Sequence, residues 1–213
     1  MSDDVRELAI FPLGSVLFPG MPLPLRVFEP RYIALLSSVL GETEREFGVV
    51  LIERGSEVGG GDVRFNVGTV ARIASVEIAE GWIGLLATGA ARFEVVRWLD
   101  EDPFPRAEVR ELDALEIDAA TVPVLAEAEA LVRATLTRAS EFVELPWSPA
   151  IELSAEPAKR IWQVAGIAPL GSLDQFAMLR SRTAAELLAR LVEETRAADV
   201  RFAPGWADDE PED

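Results

Sequence analysis

The chain has 213 residues, of which 49% are hydrophobic, and this is enough apolar material for a sizeable buried core. It carries 37 acidic against 20 basic residues, and the net charge of −17 opposes binding to the phosphates of DNA or RNA. Cysteine and histidine are both absent, which excludes disulfides, thiolate chemistry, histidine metal sites and any serine–histidine triad.

The hydropathy pattern of the chain indicates where in the cell we expect the protein. No run of about 18 apolar residues occurs, although a membrane-spanning helix needs one. The first residues, MSDDVRE, are acidic, whereas a signal peptide begins with basic residues. We therefore expect a cytoplasmic protein that does not bind membranes.

The stretch Leu8–Tyr32, LAIFPLGSVLFPGMPLPLRVFEPRY, predicts two strands followed by the start of a helix. Its apolar runs, Leu8–Leu13 and Met21–Phe28, are short and are separated by glycine and proline, which is typical of buried strands. The four prolines at positions 12, 19, 22 and 24 would break a helix, and they place the strands at edges, bulges or barrel rims. Apolar spacing then predicts a short amphipathic helix over Pro30–Leu40.

The rest of the first half also predicts strands, with both faces fairly apolar, as in a small barrel with a helix packed outside. The predicted strands are Glu46–Ile52, Val67–Ile78, Trp82–Gly89, Ala91–Trp98 and Pro103–Leu112, the last of them an edge strand. Between the first two lies Glu53–Asn66, a glycine-rich segment predicted to be a mobile loop, since it lacks the lysine and following helix of a phosphate-binding loop. We expect Gly68, Gly84 and Gly89 at bends or close backbone approaches.

The second half predicts a small helical bundle. Apolar residues recur at spacings of three and four from Thr121 to Phe142, which predicts a long helix. Further helices are predicted after Ser154, Ser172 and Thr183. The last two of these residues stand three positions before Gln175 and Glu186, which is the spacing of a capping box.

Several motifs in this order resemble a known family. The segments FPLGSVLFPGMPLPLRVFEPRY, EFGVVLIERG, VGTVARI and GAARFEVV are similar to the N-terminal domain of the Lon ATP-dependent proteases. They are more similar still to the stand-alone Lon N-terminal-domain proteins of bacteria, over about Leu8 to Val192. The resemblance implies an α+β fold, in which a PUA-like pseudo-β-barrel of about six strands and a short helix precedes an α-helical bundle. It also implies a role in binding unfolded or partner polypeptide.

With this resemblance, the composition predicts three parts. They are a barrel subdomain over residues 1–113, a bundle subdomain over 114–202 and an acidic tail over 203–213. Because each half is close to the minimum size for independent stability, we expect one folded body with the two subdomains in contact.

Lon-type proteolysis is not predicted. The ATP-binding pattern GxxxxGK[ST] does not occur, and the only lysine, Lys159, is predicted on the surface of a helix rather than beside a catalytic serine. The acidic clusters at residues 100–102 and 208–213 lack the pattern of a calcium loop, and no GxSxG motif is present. We predict no catalytic residue, no metal ligand and no cofactor.

Three functions remain open. The first is a non-catalytic polypeptide-binding module that buries apolar side chains of an unfolded segment in a shallow cleft, with strand edges adding backbone hydrogen bonds. The second is an enzyme acting on a small molecule through carboxylates and arginines, which requires a deep closed pocket. The third is a small-ligand sensor or adaptor with an aromatic-lined cavity, for which Trp82 and Trp98 are the strand tryptophans.

The candidate binding residues begin with an ExRY motif, which Glu29, Arg31 and Tyr32 match within the family resemblance. In one interpretation Glu29 and Arg31 pair at the strand-to-helix corner, while Tyr32 buries its ring and keeps its hydroxyl bonded. In the other interpretation Arg31 and Tyr32 line a peptide groove.

Tryptophans in the second half raise the same question. Trp147, flanked by prolines, is predicted either to plug the interface between the subdomains or to form an exposed apolar patch. Trp162 lies in a helical apolar stripe and is predicted to be core, and the role of Trp206 is left open. A homodimer through apolar patches is also left open, as are the client and any partner ATPase or protease.

Overall fold

In the computed structural model, the described residues are 4–54 and 63–202. The centre of the glycine-rich segment, Trp206 and the acidic tail therefore lie outside the described residues. The chain divides into two compact units, Met1–Ala114 and Leu115–Asp213, which we call unit 1 and unit 2. No helix in the described ranges combines the length and apolarity needed to cross a membrane.

Unit 1 is a mixed sheet with one helix. Its elements are β1 (Val5–Leu13), β2 (Pro22–Val27), α1 (Pro30–Val39), β3 (Glu46–Arg54), β4 (Val63–Ala79), β5 (Trp82–Trp98) and β6 (Arg106–Glu111). The strand order is β2-β5-β4-β3-β1-β6, and an additional β5–β6 pairing joins all strands except β2 into a ring. β1 and β3 run parallel, while the other pairs are antiparallel. The α+β class is confirmed, with a ring of strands rather than a clear barrel.

Two expectations about the strands were wrong. β6 is not an edge strand, because it pairs with β1 on one side and with the second half of β5 on the other. The predicted strands Trp82–Gly89 and Ala91–Trp98 form the single long strand β5, whose first half pairs with β2. The edge position that prolines predict is confirmed for β2, which contains Pro22 and Pro24 and ends the strand order.

The ring encloses an apolar core in which glycines permit close approach. Its buried residues are Leu8, Ile10, Val50, Val70, Phe93, Val95, Ala107 and Val109. A Cβ added at Gly68 would lie 2.2 Å from the Val49 carbonyl oxygen, and one added at Gly89 would lie 2.2 Å from the Phe18 carbonyl oxygen. Real Cβ atoms do not approach so closely, so the predicted close approaches at these two glycines are confirmed.

Unit 2 consists of helices. They are α2 (Thr121–Ala139), α3 (Pro157–Ile167), α4 (Ser172–Leu179) and α5 (Ala184–Arg201). The predicted cap at Thr183 is confirmed, since its side-chain oxygen accepts a hydrogen bond from the Glu186 amide at 3.1 Å, while the Glu186 carboxylate accepts from the Arg182 amide at 2.9 Å rather than from that of Thr183. The one at Ser172 was wrong, because α4 already begins at Ser172 and the cap position is the extended residue Gly171. Trp162 is 5% exposed, which confirms it as core.

Candidate functional site

The ExRY motif forms the corner between β2 and α1. Glu29 is the cap residue of α1 with an extended backbone, and Pro30 occupies the first helical turn, where its missing N–H needs no partner. Arg31 Nε donates a hydrogen bond to Glu29 Oε2 at 3.2 Å, and both side chains are less than a fifth exposed. The predicted pairing of Glu29 and Arg31 across this corner is confirmed.

Tyr32 contributes its ring to the core of unit 1. Its side chain is 3% exposed and stacks on Phe11, with ring centroids 4.1 Å apart and 17° between the planes. The Arg31 guanidinium lies 4.4 Å from the centroid of the same ring, within cation–π range. The motif therefore fixes a tyrosine ring in place, and a surface cleft borders that ring.

We call this cleft the corner cleft. It has a volume of about 90 Å³ and is lined by Phe11, Leu13, Leu25, Arg26, Val27, Phe28, Glu29 and Tyr32. Small-molecule pockets are typically about 300–1,000 Å³, so this volume suits one side chain of a larger partner. Of these lining residues, Phe28, which directly follows β2, is 54% exposed. Arg31 is not among the lining residues, and its role here is to hold Tyr32.

An apolar sheet face continues from the corner cleft. Residues paired across neighbouring strands share one face, which gives the cross-strand rows Leu25–Leu85–Val76 and Val27–Ile83–Ile78. We call these six residues the ribbon face. Leu85 and Val27 are buried, whereas Ile78 is 82% exposed, so the second row runs from the core into solvent. Leu25 and Val27 belong to both surfaces and make them continuous.

The free edge of β2 lies beside this surface, and its prolines limit what it can bind. The Met21 carbonyl accepts a hydrogen bond from the Gly89 amide at 2.9 Å. The backbone N–H and C=O groups of the odd-numbered residues of β2 therefore point toward β5, and those of the even-numbered residues point away from it, toward the free edge. The outward residues are Pro22, Pro24 and Arg26, and the two prolines have no N–H to donate. This edge is therefore a poor template for the strand addition expected from the sequence, and a partner must bind mainly through side chains.

A second cleft in unit 1 has the composition that the enzyme hypothesis requires. Its volume is about 350 Å³, and its charged lining residues include Arg6, Glu7, Glu46 and Arg106. These side chains already pair with one another, Arg6 with Glu46 at 3.2 Å and Arg106 with Glu7 at 3.0 Å. Each pair joins two neighbouring strands. Because both arginines bind carboxylates of the protein itself, the cleft has the structure of an ion-pair network between strands rather than that of a substrate site. No group of three or more carboxylates within residues 4–54 and 63–202 is placed to hold a metal ion.

The two strand tryptophans do not share a cavity. Trp82 begins β5 and Trp98 ends it, so about 50 Å of extended chain separates them at roughly 3.3 Å per residue. Each lies near an arginine of its own, Trp82 beneath Arg26 at 4.3 Å and Trp98 beneath Arg64 at 5.3 Å. The two tryptophans therefore stand at opposite ends of one long strand, and each ring contacts a different arginine.

Trp147 belongs to unit 2, in the irregular segment between α2 and α3, and is half-buried. Arg133 of α2 fixes this segment, since its guanidinium donates to the Pro149 carbonyl and, at 2.9 Å, to the Ile151 carbonyl. Arg133 Nε in turn donates to Glu129 Oε1 at 2.9 Å. Trp147 is therefore presented by an anchored segment, and its part in binding stays a prediction.

Glu129 is the centre of that anchor. It is 7% exposed, and besides Arg133 it accepts from Arg160 Nε at 2.6 Å. Burial by itself would raise the pKa of Glu129, but the hydrogen bonds and positive charges of the two arginines outweigh burial and lower it. The carboxylate is therefore ionised at neutral pH and ties α2 to α3.

The sequence profile described as the ATP-dependent protease La (LON) substrate-binding domain matches residues 7–196, which is most of the chain. The chain belongs to this family. "Lon protease 2" of Myxococcus xanthus is 37% identical over 147 residues, and "Lon protease" of Anaeromyxobacter dehalogenans is 36% identical over 124. These matches cover 67% and 56% of the chain but only 17% and 14% of the relatives, so this Lon-family chain spans a small part of their length.

Solved structures agree with the fold of this Lon-family domain. The crystal structure of a Lon N-terminal domain protein from Xanthomonas campestris superposes with a TM-score of 0.61 at 26% identity, covering 88% of this chain and 98% of the other. The N-terminal domain of Mycobacterium avium complex Lon protease gives 0.64 at 18% identity, covering 90% and 98%. The second likeness supports the fold alone.

The sequence patterns indicated Tyr32 as a candidate but not Phe28 and Ile78, the two most exposed large apolar residues in the described part of unit 1. The alternation Ser75, Val76, Glu77, Ile78 was a usable signal, because it is the pattern of a strand with one apolar face. What it does not show is that this face is left in solvent, because that depends on how far the β4–β5 hairpin extends past its neighbours.

Proposed function

We propose that this Lon-family domain is a non-catalytic module that binds unfolded or partner polypeptide through the corner cleft and the ribbon face. The observation that carries the proposal is the exposure of two large apolar side chains, 54% for Phe28 and 82% for Ile78, on one continuous apolar surface. Contiguous exposed apolar surface marks an interaction site. The family to which the chain belongs is described as a substrate-binding domain, which supports the same function.

The mechanism is burial of apolar side chains rather than strand addition. One client side chain would enter the corner cleft, and others would cover Ile78 and Ile83 of the ribbon face. Each buried methylene contributes about 0.8 kcal/mol, offset by the lost freedom of the client, so affinity for any one segment is modest. Tyr32 forms the wall of the cleft, Arg31 keeps that ring in position, and Trp147 of unit 2 offers a separate apolar contact.

The charge of the chain restricts the partners. A net charge of −17 would repel nucleic acid and attract basic clients through solvent, and this attraction weakens as salt is added. Binding that rests on apolar burial is insensitive to salt by comparison. We therefore propose polypeptide partners, no nucleic acid and no catalysis by this chain, with a homodimer through the same apolar surface as the alternative use of that surface.

The experiment is fluorescence anisotropy with a labelled, permanently unfolded polypeptide and its folded parent, each titrated with the full chain at low and high salt. Ile78→Thr removes apolar area from the ribbon face while keeping a β-branched residue in the strand. Val96→Thr is the matched control, since Val96 is also an exposed apolar residue of the sheet, 46% exposed, but lies outside both surfaces.

We expect saturable binding of the unfolded polypeptide alone, weakened about three- to tenfold by Ile78→Thr and unchanged by Val96→Thr, as expected for losing part of a shared apolar contact. Equal binding of the folded parent, no binding by the wild type, or equal effects of the two substitutions would each contradict the proposal.

A further inference from the structure

Unit 2 contains a groove that the proposed function does not use. It lies between the first turns of α2 and the face of α5, with a volume of about 510 Å³. Its lining residues are either apolar, small or acidic, and none of them is basic: Asp118, Ala120, Thr121, Val124, Glu127, Ala185, Leu188, Ala189 and Val192. We call it the bundle groove.

The apolar part of the bundle groove has the spacing of one helix face. Ala185, Leu188, Ala189 and Val192 stand at positions i, i+3, i+4 and i+7 of α5. Leu188 is 2% exposed and forms the floor, while Ala185 and Ala189 are exposed. Val124 of α2, 45% exposed, is also in the lining. Small exposed walls over an apolar floor let another helix approach closely, as in helix-in-groove recognition.

The charged part of the bundle groove is entirely negative. Asp118 Oδ1 accepts hydrogen bonds from Thr121 Oγ1 at 2.6 Å and from the Thr121 amide at 2.7 Å. These bonds lower the pKa of Asp118, so its carboxylate stays ionised at neutral pH. Glu127, two turns further along, is exposed. A ligand bound in this groove therefore lies next to the negative carboxylates of Glu127 on α2 and of Asp118 just before α2.

We propose that the bundle groove docks a basic amphipathic helix of a partner protein. The apolar stripe of that helix covers Val124, Leu188 and Ala189, while its lysines or arginines face Asp118 and Glu127. Two other occupants have the wrong charge: the chain's own last residues, ADDEPED, are acidic, and a second copy of the chain carries −17. The site lies in unit 2 and does not depend on the proposed function of unit 1.

The test uses the full chain and three labelled synthetic peptides, followed by anisotropy. The first has leucine and lysine placed to form an amphipathic helix, the second is a scramble of the same composition, and the third has glutamate in place of lysine. Ala189→Gln fills the groove with a good helix former. Ala197→Gln is its control, an exposed alanine of the same helix outside the groove lining. Glu127→Gln and Glu193→Gln form the corresponding pair for charge.

We expect the amphipathic basic peptide to bind more tightly than its scramble, and the acidic peptide not to bind. Ala189→Gln should weaken binding by about tenfold or more, as blocking the centre of an interface does, while Ala197→Gln leaves it unchanged. Glu127→Gln should weaken binding about two- to threefold at low salt, and Glu193→Gln less.

Equal binding of the scrambled peptide, or equal effects of the two alanine substitutions, would overturn the proposal by showing attraction to net charge alone. A concentration-dependent dimer abolished by Ala189→Gln would also overturn it, because the occupant would then be a second copy. Tighter peptide binding by a chain that lacks residues 203–213 would also overturn it, because the chain's own last residues would then be the occupant of the groove.

Discussion

The most informative single substitution for stability is Glu129→Gln, which removes the charge that joins α2 to α3. Glu129 is 7% exposed and accepts from two arginines, Arg133 at 2.9 Å and Arg160 at 2.6 Å. Removing one partner from a buried ion pair costs about 3–5 kcal/mol. Arg160 is 40% exposed, so water can solvate the charge it leaves, and exposed pairs contribute only about 0–1 kcal/mol. Between these two limits, we expect Glu129→Gln to lower the free energy of unfolding by about 2–3 kcal/mol.

The assay is denaturant unfolding followed by tryptophan fluorescence, with Glu127→Gln as the control. Glu127 lies on the same helix and is exposed, so its substitution should change the free energy of unfolding by less than about 0.5 kcal/mol. The pH dependence gives a second readout. The pKa of Glu129 is lower in the folded state than its usual value near 4.5, so the stabilisation is complete above that value and is lost as pH falls through the folded pKa.

On acidification the wild type should therefore lose a part of its free energy of unfolding that the Glu129→Gln variant does not have. The free energies of unfolding of the two proteins should converge at low pH. If Glu129→Gln destabilises no more than Glu127→Gln, or if the difference persists undiminished in acid, the carboxylate does not stabilise the bundle in the way argued.

The remaining predictions concern one glycine and one helix cap. Gly89→Ala should destabilise unit 1 by about 1–3 kcal/mol, because the new Cβ would lie 2.2 Å from the Phe18 carbonyl oxygen and the backbone must shift; a thermal melt no different from the wild type would count against the packing described. Thr183→Ala should cost about 1 kcal/mol through loss of the Glu186 amide cap, while Thr183→Ser should restore most of it; equal stability of both variants would show that the cap contributes nothing.

Local patterns predicted the elements of this fold where local chemistry decides them. Pro22 and Pro24 place β2 at an edge because they have no N–H to donate to a second neighbouring strand. Thr183 caps α5 because its side-chain oxygen accepts from the backbone amide three residues further on. The ExRY corner belongs to this group, since its pairing joins residues two apart in sequence.

Features that depend on pairing between residues distant in sequence could not be predicted from local sequence patterns. β6 reads as an edge strand because nothing local in Arg106–Glu111 shows that β5 returns to pair with its second side. Ser172 looks like a cap, but Gly171 is already extended and lets α4 begin one residue earlier. The exposure of Ile78 likewise depends on the length of a hairpin relative to its neighbours, so the candidate surface could be found only in the folded chain.

The most direct test of the central claim is a methyl NMR titration of the isoleucine-labelled full chain with the unfolded polypeptide. Ile78 and Ile83 report on the ribbon face, Ile10 on the enclosed core of unit 1, and Ile161 on the buried core of unit 2. We predict that the Ile78 and Ile83 methyl signals shift or broaden with the affinity measured by anisotropy, while the Ile161 signal stays unchanged. Saturable binding that leaves Ile78 and Ile83 unchanged would contradict the account, because the client would then bind elsewhere on the chain.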